Sequence, residues 1–148
     1  MTEVVTRART LTAADVSEGL ESPVYTVGPI TRTDIVRYAG AGGDFNPIHH
    51  DEAFAKSIGL PSVFSMGLFQ GGLVSRLASD WLGLANLKKF GTRFRGQVWP
   101  GEVLKLAGKI VKVTDAPGGG KAVDAELTVT NEAGELKVQA WASAVLPA

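Results

Sequence analysis

The chain is expected to be α+β, with one antiparallel sheet wrapped against a long central helix. Three observations predict this. The longest apolar-periodic segment, SMGLFQGGLVSRLASDWLG (65–83), repeats every three to four residues, the period of a buried helical face. The last third of the chain repeats every two residues instead. Its segments NLKKFGTRFRGQVW, EVLKLAGKIVKVTD, KAVDAELTVTNE and GELKVQAWASAVL are separated by PG, APGGG and NEAG, which is turn chemistry. Finally, 148 residues with 45% hydrophobic and 20% charged content suit one folded domain rather than a disordered chain. No repeat or low-complexity linker divides them, so residues 1–148 are read as a single domain with a partly irregular N-terminal extension over 1–21.

In chain order, SPVYTVGPI (22–30) mixes β-branched and aromatic residues between prolines and predicts a short strand. Thr31 or Thr33 is placed to cap a helix that buries Ile35, Tyr38 and Ala39, and Gly40, Gly42 and Gly43 end it. Asp44 to Ile48 is a loop, because Asn46-Pro47 favours extended or turn backbone. DEAFAKSIG is a short helix with acids at its start and Lys56 near its end, and LPSVF connects it to the long helix. On that helix Met66, Phe69, Leu73, Leu77 and Trp81 share one face. Gly67, Gly71, Ser75 and Ser79 make a second face of small side chains, which admits a close backbone or a thin ligand. The four alternating segments then predict four successive strands in an antiparallel meander.

Composition excludes several functions. The formal net charge is zero and no long basic run is present, which argues against nucleic acid or an anionic membrane as the main partner. No apolar run approaches the ~18 residues of a membrane span. The N-terminus lacks the unbroken apolar core of a secretory signal, and the absence of cysteine fits a reducing compartment, so the cytoplasm is the expected location. GGGK at 118–121 lacks the earlier glycine and the following Ser or Thr of a phosphate loop and is read as a hairpin turn. GAGG (40–43) follows a helix rather than a strand, so it is no dinucleotide fingerprint. Arg93 and Arg95 alternate on one strand face, where they either meet the phosphates of a large anionic ligand or form a solvated edge.

Both histidines of the chain lie in GGDFNPIHHDE (42–52). Adjacent residues in an extended segment point apart, and no cysteine or third histidine completes a transition-metal set, so no metal is expected there. Asp44 and His49 are different. Five residues apart on a loop bent at Pro47, they can converge on one water, which the carboxylate holds while the imidazole exchanges its proton. The alternative is structural: Asp44 caps the next helix or bonds its own loop, and His49 is simply packed.

DFNPIHHD resembles the signature loop of the MaoC-like, (R)-specific enoyl-CoA hydratase family, a branch of the hot-dog fold. ITRTDIVRYAGAGGDFNPIH, FAKSIGLPSVFSMGLFQGGLVSRL and TRFRGQVWPGEVLKLAGKI extend the resemblance over roughly residues 22 to 147. It implies a hot-dog domain that adds water to a trans-2-enoyl thioester, or reverses that reaction, without a cofactor. The substrate is then an acyl-CoA or acyl-carrier-protein thioester. By the same resemblance Asp44 and His49 are the catalytic pair. Gly67 is an oxyanion donor at the start of the central helix, and Asn46, Met66 and Ser75 are further substrate-side or supporting positions.

The family's usual His-Gly-Met is replaced by Met66-Gly67-Leu68. Some relatives act only as one half of a heteromer, and loss of that histidine favours such an arrangement. An open sheet edge calls for cover, so a homodimer or a heteromer with a related chain is expected. Three functions remain: a hydratase or dehydratase, a non-catalytic or co-catalytic subunit, and a hot-dog thioesterase.

Overall fold

The computed structural model describes residues 2–4 and 9–148. Its elements are β1 (Thr2–Val4), β2 (Tyr25–Gly28), α1 (Arg32–Gly42), a 3-10 turn (Pro47–His49), α2 (Glu52–Ser57), α3 (Gly67–Leu82), β3 (Leu87–Phe94), β4 (Leu104–Asp115), β5 (Lys121–Asn131) and β6 (Leu136–Leu146). The strands form one antiparallel sheet in the order β1-β2-β4-β5-β6-β3, with α3 packed across β3 to β6. One long helix held in a single antiparallel sheet is the hot-dog arrangement.

Alternation decides which sheet face meets α3. Leu104, Leu106 and Ile110 of β4, Leu127 and Val129 of β5, and Val138 of β6 are buried. So are Ala140, Ala142 and Ala144 of β6, small side chains that leave room for the helix. The helix supplies Phe69, Val74, Leu77, Ala78, Trp81 and Leu82. Leu73, expected on the buried face, is only partly buried against this core. Gly108 of β4 is required by close approach, because a Cβ there would lie 3.0 Å from the Trp81 ring. Trp141 faces the other way, 46% exposed, with its ring lying across Gly91 of β3.

The four-strand meander is corrected. Only β4, β5 and β6 run as a meander; β3 pairs with β6 instead of β4. The reason lies in the connection after β3. The amides of Arg95 and Gly96 both bond the Lys137 carbonyl, and Gly101 donates to Ile30. The chain thus crosses the end of the sheet before β4 begins, rather than turning back as a hairpin. The turn at Pro117–Gly119 does join β4 to β5.

Residues 1 and 5–8 of the expected extension lie outside the described residues. From residue 9 onward the segment is irregular but anchored: Leu11 donates to the Trp81 carbonyl, Gly19 to Ile110 and Ser22 to Gly108. Leu11, Val16 and Leu20 pack against the core.

Helix α1 starts with a capping box. The Thr31 hydroxyl accepts from the Asp34 amide at 3.1 Å, and the Asp34 carboxylate accepts from the Thr31 amide at 2.9 Å. The helix ends at Gly43, whose φ of 69° is a left-handed cap. Burial alone would raise the Asp34 carboxyl, but the Thr31 hydroxyl and amide outweigh it and hold the group below its ordinary 3.8. A carboxyl depressed by folding stabilises above its unfolded value and loses that contribution as pH falls through its folded value. Thr31→Ala is therefore expected to cost about 1 kcal/mol at neutral pH, with a penalty that shrinks below about pH 4, measured by urea denaturation across pH.

Candidate active site

The loop after α1 is shaped by its own side chains. The Asp44 carboxylate accepts from the Asn46 amide at 3.3 Å, and the Asn46 side-chain oxygen accepts from the Ile48 amide at 3.1 Å. Each is an Asx-type bond to the amide two residues on. Pro47 opens the 3-10 turn, where its missing N–H costs nothing. The turn sends His49 inward and His50 outward: His49 is 6% exposed, whereas His50 is exposed and donates Nε2–H to the Phe45 carbonyl at 3.1 Å. Asp51, not Asp44, caps α2.

His49 Nδ1 lies 2.6 Å from the Phe64 carbonyl oxygen. A carbonyl only accepts, so Nδ1 carries a hydrogen, and in the neutral imidazole Nε2 then holds the free lone pair. Nε2 faces the Asp44 carboxylate at 3.6 Å. That gap is too long for a direct hydrogen bond, and it lets one water beside the pair contact both atoms. The Asp44 side chain is 41% exposed, so the pair is reached from outside. The Phe64 ring also packs edge-on against the imidazole with centroids 5.1 Å apart, and Trp99 packs against Phe64 at 5.6 Å.

Phe64 leads into a cleft of about 360 Å³ at the start of α3, shared with Ser65, Gly67, Gln70, Phe94 and Arg95 among others. Met66 precedes the helix without a side-chain cap, so its first-turn N–H groups rely on other partners. A Cβ on Gly67 would lie 2.9 Å from the Phe94 ring, so only glycine admits both this ring and a close visitor at the helix end. Gln70, a polar residue in an apolar period, is 2% exposed and donates to Ser65 Oγ at 2.7 Å.

The structure brings Asp44, Asn46 and His49 together in one loop, with Phe64 between them and Gly67. The remaining sequence-derived positions stand apart. The Met66 side chain is 2% exposed and belongs to the core. Ser75 lies eight residues beyond Gly67, about 12 Å along the helix, and its hydroxyl donates to the Gly72 carbonyl. Arg93 pairs in register with Gln139 on the sheet face away from α3, and Arg95 donates to the Gln139 side chain at 2.9 Å while bordering the cleft. Phe64, Ser65 and Gln70 escaped sequence reasoning. The lone glutamine inside the helix period was the one available signal. Among the described residues no helix is long and apolar enough to cross a membrane.

A family profile described as "MaoC like domain" matches residues 16–133. In sequence, the chain is 44% identical over 52 residues to 3-hydroxyacyl-thioester dehydratase X of Mycobacterium tuberculosis, a match covering 35% of this chain and 19% of that protein. It is 33% identical over 84 residues to the 3-oxo-4,17-pregnadiene-20-carboxyl-CoA hydratase beta subunit of the same organism, covering 56% of this chain and 65% of that protein. The matches therefore span less than two thirds of these relatives. In structure, it resembles R-hydratase PhaJ1 from Pseudomonas aeruginosa, with TM-score 0.79 and 25% identity over 93% of this chain and 86% of that one. It also resembles one chain of the ChsH1-ChsH2 complex from Mycobacterium tuberculosis, with TM-score 0.74 and 26% identity over 89% of this chain and 98% of that one.

The two carbonyl partners assign opposite tautomers to the two histidines. Long-range ¹⁵N–¹H spectra of the imidazoles at neutral-form pH are expected to show Nδ1–H for His49 and Nε2–H for His50. Nε2–H on both would contradict the Phe64 bond.

Proposed function

Because the chain belongs to the MaoC-like domain family, we propose that it hydrates trans-2-enoyl thioesters to (R)-3-hydroxyacyl thioesters, or runs the reverse dehydration. The observation that carries the proposal is the His49 Nε2 lone pair turned toward the Asp44 carboxylate at 3.6 Å while Nδ1 is held by Phe64. The R-hydratase among the structural relatives supports it.

One water is bound between Asp44 and His49. As its oxygen attacks C3 of the enoyl thioester, the pair removes a proton. A proton is then delivered to C2 from the same face, so that H and OH add syn. Negative charge develops on the thioester oxygen during the attack. N–H groups of the first turn of α3, at or beside Gly67, stabilise that charge, a contribution of about 3–4 kcal/mol per donor. The Asn46 backbone amide bonds the Asp44 carboxylate, which helps to hold that acid in place, and its exposed side chain keeps a substrate-side role. Arg93 and Arg95 remain candidates for contact with the carrier's phosphates, Arg95 being the one beside the cleft.

A second reading is favoured by two observations: Met66 stands where the family usually has histidine, and one matching relative is a hydratase beta subunit. In that reading the chain works with a related hot-dog partner that completes the site. The free edge of β3 is where cover by a second copy or a related chain is expected. Native mass measurement of the purified protein separates a homomer from a heteromer.

Purified protein mixed with crotonyl-CoA is expected to lower enoyl absorbance without releasing free thiol; thiol release would identify a thioesterase instead. Asp44→Asn and His49→Ala are each expected to slow hydration at least ~100-fold. Turnover near that of the wild type in both variants would remove the pair from the mechanism.

A further inference from the structure

Outside the Asp44 loop, a lysine is buried near the end of the sheet. The Lys137 side chain is 5% exposed. Its three ammonium hydrogens have three acceptors: the Gln97 carbonyl at 2.9 Å, Glu102 Oε1 at 2.9 Å and Glu135 Oε2 at 3.1 Å. Burial would push this ammonium down, but the two carboxylates more than offset that and hold it above its ordinary 10.5, so it is charged. Glu102 is tied on both oxygens, Oε2 accepting from the Trp99 amide at 2.9 Å and Oε1 also from Asn131 at 2.8 Å.

These bonds grip the backbone on both sides of Val98, at the Gln97 carbonyl and the Trp99 amide. The Val98 carbonyl accepts from the Ser65 amide at 2.8 Å, and the two residues form an isolated antiparallel bridge. The residue before Ser65 is Phe64, whose carbonyl holds His49 Nδ1 and whose ring lies between Trp99 and the imidazole.

We infer that Lys137 and Glu102 are positioning residues for His49, acting through the 97–99 backbone and the Ser65–Val98 bridge on the Phe64 carbonyl. Neither touches the pair. They set where the acceptor sits, and the acceptor sets which imidazole nitrogen is free. The inference rests on the reading of His49 as the acid–base group, but its test does not require activity.

The test compares imidazole ¹⁵N spectra of the wild type with Lys137→Met, which keeps the stem and removes the charge. His50 serves as the internal reference. The expected result is that the His49 Nδ1–H form gives way to a mixture with Nε2–H while His50 is unchanged. Turnover of crotonyl-CoA is expected to fall about tenfold or more through kcat with KM little altered, as a small misplacement of a reacting group does. Should Lys137→Met fail to fold because Glu102 is left unpaired, the double variant Glu102→Gln/Lys137→Met removes that charge and is read in the same way. A folded variant whose His49 signals match the wild type overturns the inference. A shifted His49 tautomer in a protein that hydrates nothing would keep the positioning role and reject the hydratase.

Discussion

The site depends on one short hydrogen bond, from His49 Nδ1 to the Phe64 carbonyl. An imidazole with both nitrogens free would exchange tautomers and turn about its bond to the chain. A carbonyl on one nitrogen removes both freedoms, because it accepts and cannot donate. The other nitrogen then has a fixed direction, toward Asp44. Much of the surrounding structure bears on that carbonyl. The Phe64 amide lies 3.4 Å from the Ile48 carbonyl, Ser65 is bridged to Val98, and Trp99 closes over the Phe64 ring.

The central helix meets a different constraint. Its inner face is filled by large side chains against a sheet whose last strand is rich in alanine, so it lies close to β6. Its first turn has no side-chain cap and begins with glycine. A Ser or Asp before Gly67 would commonly gain about 1 kcal/mol of helix stability by capping. It would also occupy N–H donors that are otherwise open at the helix start. The apolar Met66 at this position, turned into the core, leaves those donors to a visitor.

Much of the fold was legible because its signals are local and periodic. The helix over 65–83 and the alternating strands follow from side-chain spacing, and α1 from Thr31 and the glycines that end it. The order of strands was not legible. Four alternating segments in a row imply a meander, and nothing in their pattern says that the bonds of residues 95–101 carry the chain across the sheet. The site divides in the same way. Asp44 and His49 are marked by residue type within eight residues of loop. Phe64 is an ordinary apolar residue of a connector and acts through its backbone carbonyl, an atom every residue has. Lys137 reads as one more polar position on an alternating strand, and its burial arises from contacts with residues 97, 102 and 135 that spacing does not reveal.

The two Asx bonds of the 44–48 loop carry a consequence for how the site is assembled. Each ties a side chain to an amide only two positions away, so this bend is encoded by nearest neighbours and loses little chain entropy on closing. The imidazole's anchor is fifteen residues off and rests on strands that meet only when the sheet is complete. The carboxylate's placement is therefore local, whereas the direction of the imidazole depends on contacts between segments far apart in the sequence. Chemical competence is thus a property of the finished domain rather than of the loop that carries its signature.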